Sequence, residues 1–323
     1  MPIITVRQAI QEALREEMRR DEKVFLMGED IAYYGSAYGV TKGFVEEFGE
    51  KRVKDTPISE TAIIGAATGA AMAGLRPVPE IMSINFSLQA IDQVVNHAAK
   101  IHYMFGGQMK VPMVLRTPAG WSQLGATHSQ TLELLFAYIP GLKVVMPSTP
   151  YDHKGLLKSA IRDDDPVIFI EHALLYGLKG EVPEEEFLVP IGESIVRRPG
   201  KDVTVVSYSR MAVQALEAAN ELAKEGIDVE VIDLRTLRPL DMEPVLASVA
   251  KTNRAVIAEE GWRSFGIGAE IESRIYEEAF DELDAPIRRV AGAEVPTPYN
   301  RHLELAAFPG KVEIINAIRA VLK

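Results

Sequence analysis

A chain of 323 residues exceeds one ordinary core and suits two α/β domains. Its 47% hydrophobic and 25% charged residues exclude a disordered or fibrous chain, and no run approaches the roughly 20 apolar residues of a membrane span. A formal net charge of −11 argues against nucleic acid as a partner, and the absence of cysteine removes disulfides, thiolate nucleophiles and cysteine-ligated metals.

The opening Met1-Pro2-Ile3-Ile4-Thr5-Val6-Arg7 lacks a signal-peptide layout, so a cytoplasmic protein, or a mature organelle form with its presequence removed, is expected. Thr5 and Gln8 make a capping box, and Val6, Ala9, Ile10, Ala13, Leu14 and Met18 recur at helical spacing. Val24-Phe25-Leu26-Met27 reads as a buried strand leading into Gly28-Glu29-Asp30. Ser59 precedes a helical run, Glu60 to Leu75, built largely of Ala, Gly, Ile and Thr, whose small side chains predict close packing. Arg76 to Ile84 reads as a strand with its prolines at the beginning. The pattern then predicts helix over 87–104, strand over 111–116, helix over 129–138 and strand over 142–147. A helix from Pro150 to Arg162 has Thr149 as its cap, and Val167 to Ile170 is the next strand. Such alternation predicts a mostly parallel sheet covered on both faces.

Residues 176–200 break the rhythm with Gly177, Gly180, Pro183, three glutamates, Pro190 and Pro199-Gly200, as an inter-domain connection would. Strands near 203–208, 228–232, 254–259 and 287–291 follow, with a helix over 210–225 stopped by Gly226. The expected division is an α/β domain over 1–185, a linker over 186–200 and a second α/β domain over 201–323.

Hydrolase elbows and P-loops are absent. Gly266-Ile267-Gly268 lacks the third glycine of a dinucleotide turn and reads as glycines permitting close helix packing. His97 and His102, five apart, do not face one ligand point; they, His153 and His302 read as solvated or core residues. His128, in Gly125-Ala126-Thr127-His128-Ser129-Gln130, follows a strand where α/β folds bind ligands and would suit proton transfer, although the local sequence leaves that role open. On spacing alone, Glu60 reads as a first-turn glutamate complementing the helix dipole. Asp163-Asp164-Asp165 reads as a solvated turn unless backbone carbonyls there close around an ion.

Taken together, the segments carry a resemblance. Asp55-Thr56-Pro57-Ile58-Ser59-Glu60, Gly69 to Pro77, Asn85 to Gln93, Thr127-His128-Ser129-Gln130, Pro140 to Val145, Ser159 to Asp163 and Gly266 to Ile271 resemble the beta subunits of pyruvate dehydrogenase (acetyl-transferring). That family is the thiamin-diphosphate-dependent decarboxylase component of the 2-oxo acid dehydrogenase complexes, and the resemblance runs in order along essentially the whole chain. It implies a transketolase-like pyrimidine-binding domain followed by a transketolase C-terminal-like domain, in parallel or mixed sheets. It also implies that the diphosphate and its Mg2+ are held by a separate alpha subunit through a Gly-Asp-Gly motif, which this sequence lacks.

By the same resemblance, Glu60 matches the glutamate on the pyrimidine N1′, Ile58, Met82 and Phe86 match positions around that ring, and Glu29 matches an acidic position near the cofactor. Burial beside the apolar helix is expected to raise the proton affinity of Glu60. His128 matches an active-site histidine near the incoming lipoyl group. The backbone carbonyls of Met113, Ala160, Ile161, Asp163 and Asp165 match a structural monovalent-cation site, of K+ in kind. Implied partners are the alpha subunit, in an α2β2 heterotetramer, and the subunit-binding and lipoyl domains of the dihydrolipoyl acetyltransferase, with Glu294 at an acidic contact position. The implied compartment is the bacterial or archaeal cytoplasm, or the mitochondrial matrix after loss of a presequence. Alternatives are a branched-chain 2-oxo acid or acetoin dehydrogenase beta subunit, or a non-catalytic assembly subunit.

Overall fold

Thr5 Oγ1 accepts from Gln8 N–H at 3.2 Å, and Gln8 Oε1 accepts from Thr5 N–H at 2.9 Å. The capping box read from sequence thus starts the first helix. The computed structural model describes residues 1–121 and 123–323. They form two compact units: Met1–Ala119 with Leu135–Ile191, and Gly120–Leu134 with Gly192–Lys323.

In chain order the elements up to residue 191 are β1 (Ile3–Thr5), α1 (Val6–Arg20), β2 (Val24–Gly28), α2 (Phe44–Phe48), β3 (Val53–Asp55), α3 (Glu60–Met72), β4 (Arg76–Glu80), α4 (Ile101–Met104), β5 (Val114–Ala119), α5 (Glu133–Ala137), β6 (Lys143–Val145), α6 (Pro150–Arg162), β7 (Val167–His172) and β8 (Lys179–Glu181). The main sheet of the first unit runs β6-β7-β5-β4-β2-β3, every neighbouring pair parallel. Its strands β2, β5 and β7 are buried throughout, as strands covered on both faces must be. On one flank α1 packs on α6, where the buried ammonium groups of Lys154 and Lys158 reach Glu12 and Glu16.

Two helical expectations change. Residues 87–104 are not one helix: a 3-10 turn (Ile84–Ala90), a π-helical turn (Gln93–Ala98) and α4 share the span. Ser83 and Ser87 bond the local backbone and Asp92 takes the Asn96 amide, so side chains compete with regular helical geometry. Over 129–138 only α5 is helical. There, Thr297 Oγ1 donates to Ser129 O at 3.1 Å, and this tertiary bond outweighs local propensity.

The second unit contains β9 (Ile195–Arg198), β10 (Val203–Ser207), α7 (Ser209–Leu222), β11 (Val229–Asp233), β12 (Thr236–Arg238), α8 (Glu243–Thr252), β13 (Ala255–Trp262), α9 (Ile267–Ala279), β14 (Arg288–Gly292), α10 (Arg301–Ala307) and α11 (Lys311–Val321). Its sheet runs β14-β13-β10-β11-β9 and is mixed, with β9 antiparallel to β11 and the other pairs parallel. Valines of β10 and β11 meet alanines of α7 and isoleucines of α11 in its core. Gly226 ends the helical run in the left-handed region at φ 83°. Gly266 and Gly268 lie against Glu259, where an added Cβ would stand 2.4 and 2.5 Å from its carboxylate oxygens. Close approach, as expected for these glycines, is what the backbone requires there.

Candidate active site

In the first unit the strand order gathers sequence-distant residues at one edge. Glu29 follows the last residue of β2, Ile58 and Glu60 follow β3, and Met82 and Phe86 follow β4. Because these strands are parallel neighbours, all five lie beyond their carboxyl ends, where open α/β sheets bind ligands. The edge is tied together by backbone bonds. Ala32 N–H donates to Asp55 Oδ1 at 2.7 Å, and Thr56 N–H donates to Gly28 O at 2.9 Å.

Glu60 is the first residue of α3, so its carboxylate faces the positive end of a 13-residue helix. It is half-buried, so the burial expected of it beside the apolar helix is only partial. The acid that burial pushes above the usual carboxylate range is Glu29, with the neighbouring Glu60 and Asp30 charges adding to the effect. Among the described residues Glu29 Oε1 and Thr56 Oγ1 are buried without hydrogen-bond partners. Ile58 is exposed, while Met82 and Phe86 are half-buried. A buried acid beside a second carboxyl, two orphaned oxygens and an apolar flank fit a flat, nitrogen-bearing ring such as the aminopyrimidine of thiamin diphosphate.

The carbonyls at Met113, Ala160, Ile161, Asp163 and Asp165 lie at the opposite edge: before β5, in the last turn of α6, and between α6 and β7. Arg76 Nη1 donates to Ile161 O at 2.9 Å and to Asp163 O at 2.8 Å. Lys143 pairs with Asp163 and Asp165, and Asp164 receives Arg76 and Lys110. The triple-aspartate turn is therefore clamped by cations rather than merely solvated. Two of the five expected carbonyl ligands, those of Ile161 and Asp163, are thus engaged by the Arg76 guanidinium.

His128 belongs to the second unit, in the segment 120–134. It is exposed, its N–H donates to Gly125 O at 3.3 Å, and its Nδ1 lies 2.8 Å from Thr127 Oγ1. His153 is a core residue: burial lowers its pKa to about 4, and the ring nitrogen Nδ1 lies 2.7 Å from Thr149 O. His102 and His302 are exposed.

Sequence reasoning missed two buried clusters. In the first unit Arg116 Nη1 donates to Glu80 at 2.8 Å and Arg116 Nη2 lies 2.6 Å from Glu171, which also accepts from the Tyr176 hydroxyl at 2.5 Å. In the second, Glu133 joins Glu259 and Glu260. The available signal was a charge inside an apolar run, as in Val114-Leu115-Arg116 and Leu132-Glu133-Leu134.

The parallel sheet of the first unit and the mixed sheet of the second define a transketolase-type chain. The family model described as "Transketolase, pyrimidine binding domain" matches residues 3–179, and "Transketolase, C-terminal domain" matches 192–314. A solved split-gene transketolase, described as an inactive beta4 tetramer, has TM-score 0.82 at 23% identity, covering 99% of this chain and 98% of that one; this likeness shows the fold. The pyruvate dehydrogenase E1 component subunit beta of Rickettsia felis is 52% identical over 319 residues, 98% of each chain. The human mitochondrial protein of that name is 52% identical over 325 residues, 99% of this chain and 90% of its own, and that of Rhizobium meliloti is 51% identical over 323 residues, 99% and 70%. This chain belongs to the family of pyruvate dehydrogenase E1 component beta subunits.

Proposed function

We propose that the chain supplies the pyrimidine-holding half of an active site that decarboxylates pyruvate oxidatively and passes the acetyl group to a lipoyl carrier. The observation that carries this reading is Glu29 with its neighbour Glu60 at the carboxyl edge of β2 and β3, where the buried Glu29 Oε1 and Thr56 Oγ1 have no partner among the described residues. Bound thiamin diphosphate would supply the electron sink into which the carbon–carbon bond of a 2-oxo acid is cleaved.

The chain's own residues do the rest. Glu60 would hold a proton at the ring's N1′ and so select the tautomer of its amino group. Glu29, kept protonated to a higher pH by burial, would limit negative charge beside Glu60. Ile58, Met82 and Phe86 would pack against the ring and exclude water. His128 would deliver a proton to the lipoyl sulfur during transfer. The diphosphate and Mg2+ fall to an alpha subunit in an α2β2 assembly, since the sequence has no Gly-Asp-Gly loop. Glu294, which accepts from Ser264 N–H at 2.7 Å, and the net charge of −11 favour docking of a basic subunit-binding domain. The carbonyls from Met113 to Asp165 would hold K+, raising the melting temperature in potassium over choline chloride. The compartment is the cytoplasm of a bacterium or archaeon, or the mitochondrial matrix if a presequence has been removed.

The test is to mix this chain with an alpha subunit, thiamin diphosphate, Mg2+ and pyruvate and follow carbon dioxide release. Release by the mixture but not by either chain alone is expected. An equal rate from the isolated chain would overturn the reading, and faster turnover of 2-oxoisovalerate would overturn the choice of pyruvate.

A further inference from the structure

The segment that carries His128 is held to the second unit by a short series of polar bonds. Gln123 N–H donates to Glu304 Oε1 at 2.8 Å, and Glu304 is buried on α10. Thr297 Oγ1 donates to Ser129 O at 3.1 Å. At the far end the hydroxyl of Tyr208, the residue capping α7, donates to Glu133 Oε1 at 2.8 Å, with both side chains buried. His128 stands exposed between these attachments.

The chemistry at Glu133 differs from that of its neighbours. Glu259 receives Arg289 at 2.6 Å with Arg263 nearby, and Glu260 receives Arg210 at 2.8 Å. Among the described residues no cation pairs with Glu133, and its Oε2 is buried without a partner. Gly261 runs past it; a Cβ there would lie 3.6 Å from Glu133 Oε1. Removing a partner from a buried polar group costs far more than an exposed hydrogen bond contributes.

We propose that Glu133, clasped to Tyr208, is a positioning residue for acyl transfer, fixing the segment that presents His128. The inference rests on the assignment of His128 to that step. Burial first, then the Glu259 and Glu260 charges, raise the Glu133 pKa to about 7, against the Tyr208 hydroxyl and a backbone N–H, which favour the ionised form. Below that pH the neutral carboxyl sits stably in its pocket. Above it the carboxylate accepts the Tyr208 hydroxyl more strongly, so the clasp tightens and transfer rises on the alkaline side.

The test uses the assembly with the alpha subunit and compares reductive acetylation of a lipoyl domain with decarboxylation coupled to an artificial electron acceptor. Glu133→Ala and Tyr208→Phe are expected to lower the ratio of transfer to decarboxylation about tenfold, the scale of one buried hydrogen bond. Both are also expected to speed amide exchange over residues 123–131. Glu133→Gln, of equal size and always neutral, is expected to hold the ratio at its acid-side value and remove the alkaline rise. Two activities falling in step would overturn the proposal, as would an unchanged ratio where His128→Ala lowers it. If His128→Ala itself leaves the ratio intact, the histidine assignment fails; unaltered exchange over 123–131 then overturns the clasp as well.

Discussion

Glu29 and Glu171 lie near the carboxyl ends of two parallel strands of one sheet, and both are buried. Glu171 shares the Arg116 guanidinium with Glu80 and takes the Tyr176 hydroxyl besides. Glu29 keeps an unpartnered oxygen and faces a second acid, Glu60. Satisfied charges of the first kind hold strands together, whereas an acid left short of partners at the carboxyl edge of a parallel sheet is a candidate for ligand contact. Burial alone does not separate the two; partner count does.

Breaking the ligand edge should have the largest effect. Glu60→Ala in the assembled enzyme is expected to lower carbon dioxide release by about 100-fold or more, the scale of a lost proton-transfer group. A rate within a factor of about two of the parent would dissolve the distinction between the regions.

The satisfied cluster should register in stability instead. Arg116→Met strands two buried carboxylates and is expected to cost about 3–5 kcal/mol in urea unfolding. Glu29→Gln, which removes no cation contact, is expected to change stability by less than about 1 kcal/mol.

Smaller still are two opposed pH dependences. The folded pKa of His153 is lowered from 6.5 to about 4, so the unfolded chain binds more protons in that window and stability is lost as pH falls through it. The folded pKa of Glu133 is raised from 4.5 to about 7, so stability is lost as pH rises between those values. Melting temperatures measured from pH 4 to 8 should therefore change slope when His153→Asn or Glu133→Gln is introduced, each over its own window. Identical profiles for parent and variants would count against both assignments.

Much of the fold was legible because its signals are local. Thr5 with Gln8, Thr149 with Pro150, and Gly226 each declare a helix end through neighbours no more than three residues away. Glu60 was visible only as an acid at a helix start, and resemblance rather than spacing raised it to a site residue. Long-range pairings were not legible. Arg116 meets residues 36 and 55 positions away, and Glu133 meets Tyr208 across 75. The same limit explains segment 120–134, which precedes α6 in sequence yet is bonded to Thr297 and Glu304 of the second unit. A local pattern predicts helix at 129–132; partners more than 100 residues distant decide otherwise.

The most direct measurement is amide exchange in the alpha–beta assembly with and without thiamin diphosphate and Mg2+. Protection is expected over residues 28–31, 58–61 and 82–86 of this chain, the carboxyl edge of β2, β3 and β4. Protection missing from those segments and present instead at 160–165, the opposite edge of the sheet, would contradict the account.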